Sequence, residues 1–162
     1  MRKGNPVDGR RIHRFPGSVT DPAPLLVVPA DTAVRRRDWR HVHNAVIPTD
    51  PLSDGDVQER AGRNRLEVAY RGTELVGCST VRPATDLEPV TVIVRVLPEL
   101  RGQGVGRALY AHCTRGLRGP VQTVVLASNE DGLAFAVRRG FVEVDRYVLD
   151  GDSVEYVDLR RD

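Results

Sequence analysis

Three glycines, Gly102, Gly104 and Gly106, lie between the β-branched alternation of Val90, Val92, Val94 and Val96 and the helical spacing of Ala108, Leu109, Cys113 and Leu117. Glycine can take backbone angles closed to other residues, and its missing Cβ lets a ligand lie directly against the main chain. The first amides of a helix have no intrahelical partners and stand at the positive end of its dipole. A strand that feeds a helix through such a loop is a cradle for an anion, and phosphate is the chemistry that suits it.

The phosphate ligand is narrowed by what the loop lacks. It ends Gly106-Arg107-Ala108, with neither the lysine nor the hydroxyl that a nucleoside triphosphate loop needs. The dinucleotide pattern fails as well. Counted from Gly102 its third glycine position is Arg107, and counted from Gly104 it is Leu109.

The sequence Arg101-x-x-Gly104-x-Gly106, preceded by Val96-x-Pro98, resembles the pyrophosphate loop of the GNAT N-acetyltransferase superfamily. Asn129, followed by Gly140-Phe141, is similar to that family's second signature, in the right order and spacing. The resemblance implies acetyl-CoA as co-substrate, its diphosphate on the backbone amides of Arg101, Gly102, Gln103, Gly104, Val105, Gly106 and Arg107. It also implies that the pantetheine arm pairs with the strand at Val94 and Val96 and that Asn129 borders the cofactor. The implied reaction is acetyl transfer to a primary amine by direct attack in a ternary complex, with the backbone at Val96 polarising the thioester carbonyl. The alternative is a non-catalytic acyl-CoA sensor or partner-binding module on the same fold.

Two positions depart from the family's pattern. Where some members carry a glutamate base this chain has Val90, and where many carry a tyrosine acid it has Ala136. Glu88 shares a strand face with Val90 and is the candidate base, acting through a water from about 7 Å away by strand rise. Tyr110 and Tyr147 hold no position that the resemblance assigns. Solvent can protonate a departing thiolate, whose thiol has a pKa near 8.5, or the chain binds acyl-CoA without rapid turnover.

The acceptor side is less legible. In this family the first helices form one wall of the acceptor site, which makes Trp39, His43 and Asp50 candidates for substrate contact. Aromatic ring, imidazole and carboxylate together suit an amine. Trp39 and His43 equally fit a packing role and Asn44 a capping one. The acceptor is a small-molecule, peptide or protein amine, and the protein is a monomer or a homodimer.

Apolar spacing and turn residues supply the elements that must position these groups. A strand is expected over 25–28, a helix over 33–46 with Val34, Trp39, Val42 and Val46 on one face, and a second helix over 53–62 capped by Ser53-x-x-Asp56. Strands over 66–70 and 75–81 form a hairpin about Arg71-Gly72, and the strand Val90–Val96 follows. A helix over 104–117, a strand over 121–127 and a helix from Asn129 to Gly140 come next. The chain closes with a hairpin of 141–149 and 154–159 about Asp150-Gly151-Asp152. This order is that of the GNAT fold, an α/β domain whose mixed, mostly antiparallel sheet of six to seven strands has helices on both faces.

Length and composition fit one domain. The chain has 162 residues, 40% hydrophobic and 28% charged, enough for one core over 25–162. Residues 1–24 are rich in proline and glycine and are expected to be extended or disordered. Arg2, Lys3, Arg10, Arg11 and Arg14 make that segment basic, but no aromatic residues interleave with the charges and the net charge is only +2, so a nucleic-acid partner is not expected. No secretory leader or membrane-length apolar run is present, and a cytoplasmic location is expected. Cys78 and Cys113 have no metal-binding or redox spacing, and His41 and His43 point to different helix faces, so no metal is expected.

Overall fold

Seven β-strands in one sheet, with helices against both faces, make up the computed structural model, which describes residues 22–162. The basic positions 2–14 and most of the segment expected to be extended lie outside the described residues. The elements are β1 (Leu25–Pro29), α1 (Ala33–Val46), α2 (Asp54–Arg63), β2 (Arg65–Arg71), β3 (Glu74–Arg82), β4 (Val90–Val96), α3 (Val105–Thr114), β5 (Val121–Leu126), α4 (Glu130–Arg138), β6 (Val142–Val148) and β7 (Glu155–Arg161). A short 3-10 turn at Pro98–Leu100 separates β4 from the glycine loop. The strand order is β1-β2-β3-β4-β5-β7-β6, and every neighbouring pair is antiparallel except β4 with β5. This is the mixed α/β architecture read from the sequence.

The period of two along the strands splits the apolar residues between two cores. On one face Val81, Val92, Val121, Val157 and Leu159 pack with Val105 and Leu109 of α3 and with Ala136 of α4. On the other, Leu66, Val68 and Cys78 pack with Trp39 and Val42 of α1 and Val57 of α2. The cross-strand register carries this division onto β4. Arg95 pairs with Cys78 and so shares the α1 and α2 face, whereas Val94 pairs with Ser79 and faces α3.

Local chemistry sets the helix ends. Thr32 caps α1 by accepting the Arg35 amide (3.2 Å). Ser53 and Asp56 close a reciprocal capping box on α2, with Ser53 Oγ accepting the Asp56 amide at 3.2 Å and Asp56 Oδ2 accepting the Ser53 amide at 2.8 Å. The Asn129 side-chain oxygen accepts the Gly132 amide (3.0 Å) and caps α4. One expectation fails on α1: Val34 is 56% exposed, and His43 is buried in its stead. At 100° per residue Val34 lies about 80° from Val42 and about 140° from Trp39, at the rim of the apolar face, while His43 follows Trp39 by four residues and stacks on it at 5.4 Å. Helix α3 stops at Thr114, short of the expected Leu117, where Gly116 takes φ 77°.

Candidate active site

Gly104 is the N-cap of α3 with φ 79°, and it gives the helix no side-chain cap. The amides of Val105, Gly106 and Arg107 therefore keep their hydrogen-bonding capacity for something outside the helix. A Cβ placed on Gly102 (φ +74°) or on Gly104 would meet no atom within 4 Å, so open space stands over the loop. Gly106 has a different role: a Cβ there would come within 3.2 Å of Phe135, which shows how closely α3 approaches α4. The loop is held from β2, where Arg71 donates to the Gln103 side chain (3.1 Å) and to its carbonyl (2.8 Å). Arg101 Nε reaches the Val96 carbonyl at 3.4 Å. The cradle is built, open and cationic, and its residues fit a diphosphate.

The sheet itself opens beside this loop. Strands β4 and β5 pair only at Val90 with Val121 and at Thr91 with Gln122, and beyond that register they diverge. The Leu97 amide donates to Val76 of the β3 side (3.0 Å), so by strand alternation the polar backbone groups of Val92, Val94 and Val96 face the gap instead of β3. A cavity of about 1470 Å³ fills the wedge and runs from the glycine loop, past Val92 to Val96 and Thr123 to Leu126, toward α1, α2 and the final hairpin. Asn129 lines it as well.

The wedge, with a bare helix N-terminus at its foot, is accompanied by a sequence match. The model of the acetyltransferase (GNAT) family matches residues 34–141. The chain belongs to that family. No curated protein is matched by the sequence. Among solved structures, the ribosomal-protein-S18-alanine N-acetyltransferase from Escherichia coli is 19% identical, covers 85% of this chain and 92% of its own, and superposes with a TM-score of 0.66. NAA60 of Arabidopsis thaliana, solved with a bisubstrate analogue, is 18% identical with a TM-score of 0.65, covering 85% of this chain and 97% of its own. An acetyltransferase from Thermus thermophilus is 22% identical with a TM-score of 0.63, covering 85% and 96%. At these identities the likeness speaks for the GNAT fold.

The cavity gathers most of the site residues picked from sequence. Val94, Val96, Arg101, Gly102, Gly104, Val105, Gly106, Arg107 and Asn129 line it at one end, and His43 and Asp50 at the other. Gln103 is instead engaged by Arg71. Trp39 is not part of the lining: it is fully buried and donates its Nε1–H to the Ser79 carbonyl at 2.9 Å. Glu88 is also set apart. It borders a separate shallow groove, 3.6 Å from Arg160, with its side chain 58% exposed.

Burial dominates the ionisation of His43, whose pKa falls to about 3, with the charge of Arg95 adding to the effect. It is neutral at ordinary pH and a feeble base. Asp50 lies near Tyr156, whose phenol is pushed up first by burial and then by that carboxylate. Tyr147 donates to Asp158 at 3.3 Å, and burial followed by that acid raises its pKa to about 12. Among the described residues, no cluster of three or more histidine, cysteine, aspartate or glutamate side chains is arranged to hold a metal. No helix there is long and apolar enough to cross a membrane.

Two features of the GNAT cavity escaped the sequence reading. Tyr110 of α3 lines it with a buried hydroxyl that has no hydrogen-bond partner, in the same apolar cluster as Ala136. Burial raises its pKa, so the phenol keeps its proton. Its helical spacing, one residue after Leu109, reads as packing and gave no signal. The second feature is a set of arginines, Arg60, Arg82 and Arg95, in the same lining. Here a signal existed: Arg95 interrupts a strand otherwise made of valine, isoleucine and threonine.

Proposed function

We propose that this protein is an N-acetyltransferase that moves an acetyl group from acetyl-CoA to a primary amine within a ternary complex. The observation that carries this reading is the wedge between β4 and β5, which ends at an uncapped, glycine-cleared helix N-terminus. The amides of Val105, Gly106 and Arg107, with Arg101 beside them, hold the diphosphate. The gap-facing backbone of Val94 and Val96 pairs with the pantetheine arm. Bound acetyl-CoA supplies a thioester: the neutral amine forms a C–N bond to its carbonyl carbon, the C–S bond breaks, the amine gives up a proton and the sulfur gains one.

The chain's own groups serve that exchange. The Val96 N–H is aimed at the carbonyl oxygen on which negative charge grows, and a fixed amide needs no reorganisation to meet it. Tyr110, still protonated and without a partner, is the proton source for the sulfur in place of the side chain that Ala136 lacks. His43, buried and neutral, shapes the acceptor end and leaves the removal of the amine's proton to water. Asn129 fixes the start of α4 and so the far wall of the wedge. The setting is taken as the cytoplasm, and nucleic acid has no part in the reaction.

A second reading, an acyl-CoA sensor, is favoured by Val90 and Ala136 at positions where the family often carries ionisable side chains. Calorimetry with acetyl-CoA, followed by thiol release across a panel of amines, separates the two. Binding with turnover of at least one amine supports the enzyme. Binding without turnover on any amine moves the assignment to the sensor, and no binding rejects both.

A further inference from the structure

We infer that the acceptor amine carries a carboxylate, as a free amino acid does, that Arg95 receives it, and that Arg60 and Arg82 draw it in. The inference rests on the acetyltransferase reading and names its acceptor class.

Arg95 is only 7% exposed, yet its charge has no acidic partner. Its Nη1 donates to Thr80 Oγ1 (3.2 Å), its guanidinium stands 5.7 Å over the Trp39 ring, and its buried Nε has no partner at all. Cys78, which lies against it, does not neutralise it, because burial lifts that thiol to a pKa of about 11. His43 is neutral. None of the ion pairs among the described residues includes Arg60, Arg82 or Arg95. Asp158, which accepts from Tyr147 and Gln122, both at 3.3 Å, lies in the field of Arg82 without pairing to it, Asp50 faces Tyr156, and no carboxylate among the described residues bears on Arg95. A desolvated cation in the field of two further cations, Arg60 and Arg82, is costly, and a bound anion relieves that cost.

The arginines do not serve the diphosphate. Arg82 is in register with Thr91, five residues along β4 from Val96, which is about 16 Å by strand rise. Arg95 projects to the α1 and α2 face, away from α3 and its glycine loop. The loop has its own cations in Arg101 and Arg107. A carboxylate held at Arg95, one residue from Val96, leaves the α-amine of the same molecule beside the wedge where the thioester lies. Arg60 and Arg82, farther out and more exposed, draw the anion in and hold an acidic side chain where there is one.

The test compares matched acceptors: free amino acids, acidic ones included, their carboxamides, and the corresponding amines without the carboxylate. The expected result is a kcat/KM at least tenfold higher for the free acids. Arg82→Gln and Arg60→Gln should each raise the acceptor KM severalfold and shrink that preference while the acetyl-CoA affinity stays unchanged. Arg95→Met removes a charge with no partner, so it should fold at least as stably as wild type and lose the preference altogether. Thermal shift with the acids and the carboxamides, without acetyl-CoA, reads the arginines independently of turnover, and stabilisation by the acids alone supports the inference. Equal use of acids and carboxamides, or preference for the uncharged or cationic amines, overturns it while leaving the acetyltransferase standing. Failure of the wild type to bind acetyl-CoA overturns the acetyltransferase reading instead.

Discussion

Substituting Gly104 separates the strain of the loop from its use. Its φ of 79° and ψ of 1° lie in the left-handed region, and a Cβ built there meets no atom within 4 Å. The folded chain has room for a side chain, so the cost to stability is conformational alone. For alanine that cost is roughly 1–2 kcal/mol, and asparagine, whose short amide visits this region, costs less. A loss of 1 kcal/mol in a domain of this size lowers Tm by about 2–4 °C. The space that the new side chain fills is the approach to the amides of Val105, Gly106 and Arg107. A hydrogen bond to a charged group contributes about 1.5–3 kcal/mol, so losing two such bonds to a diphosphate weakens binding by roughly two to four orders of magnitude. Calorimetric titration of Gly104→Asn and Gly104→Ala with acetyl-CoA, beside scanning calorimetry of each variant, measures both quantities. The expected outcome is a loss of affinity far larger than the loss of stability. Gly104→Asn binding acetyl-CoA as tightly as wild type would refute the reasoning.

Tyr110→Phe removes a buried hydroxyl that has no partner, so stability should hold or rise by up to about 1 kcal/mol in chemical denaturation, whereas kcat falls with the KM for acetyl-CoA unchanged. An unchanged kcat would remove Tyr110 from the reaction. His43 has a folded pKa of about 3 against 6.5 for the free side chain, so the unfolded chain binds the extra proton between those values. Its share of stability is complete above pH 6.5 and is lost as pH falls toward 3, at about 1.4 kcal/mol per pH unit through that window. From pH 6.5 down toward 3 the urea midpoint of wild type should fall more steeply than that of His43→Phe, and parallel curves would contradict the assignment. Glu88 faces Arg160 at a groove outside the cavity, so Glu88→Gln should leave the pH–rate profile of kcat/KM in place. Loss of the alkaline plateau in that variant would restore it as a water-mediated base.

The order of elements, the glycine loop and the α4 cap were legible because each depends on residues near one another in the chain. Alternation of valines over Val90–Val96, the capping pair Ser53 and Asp56, and the Asn129 cap are local physics that tertiary packing had no reason to override. The loop's openness could be read for the same reason: a helix start without a capping side chain and with glycines before it leaves its amides free whatever lies around it. Tertiary structure alone decided the rest. That β4 and β5 part after Thr91 depends on where two strands well separated in the chain stop pairing, and their compositions are alike. The gathering of Arg60, Arg82 and Arg95 joins α2, β3 and β4, and each arginine by itself passes for an ordinary charged residue. From sequence Trp39 and His43 could pack or touch substrate, and the fold buries both, Trp39 in the core and His43, neutral, in the lining of the cavity. Short-range spacing fixes what a segment becomes, while burial and charge environment, which arise only when distant segments meet, determine what its side chains can do.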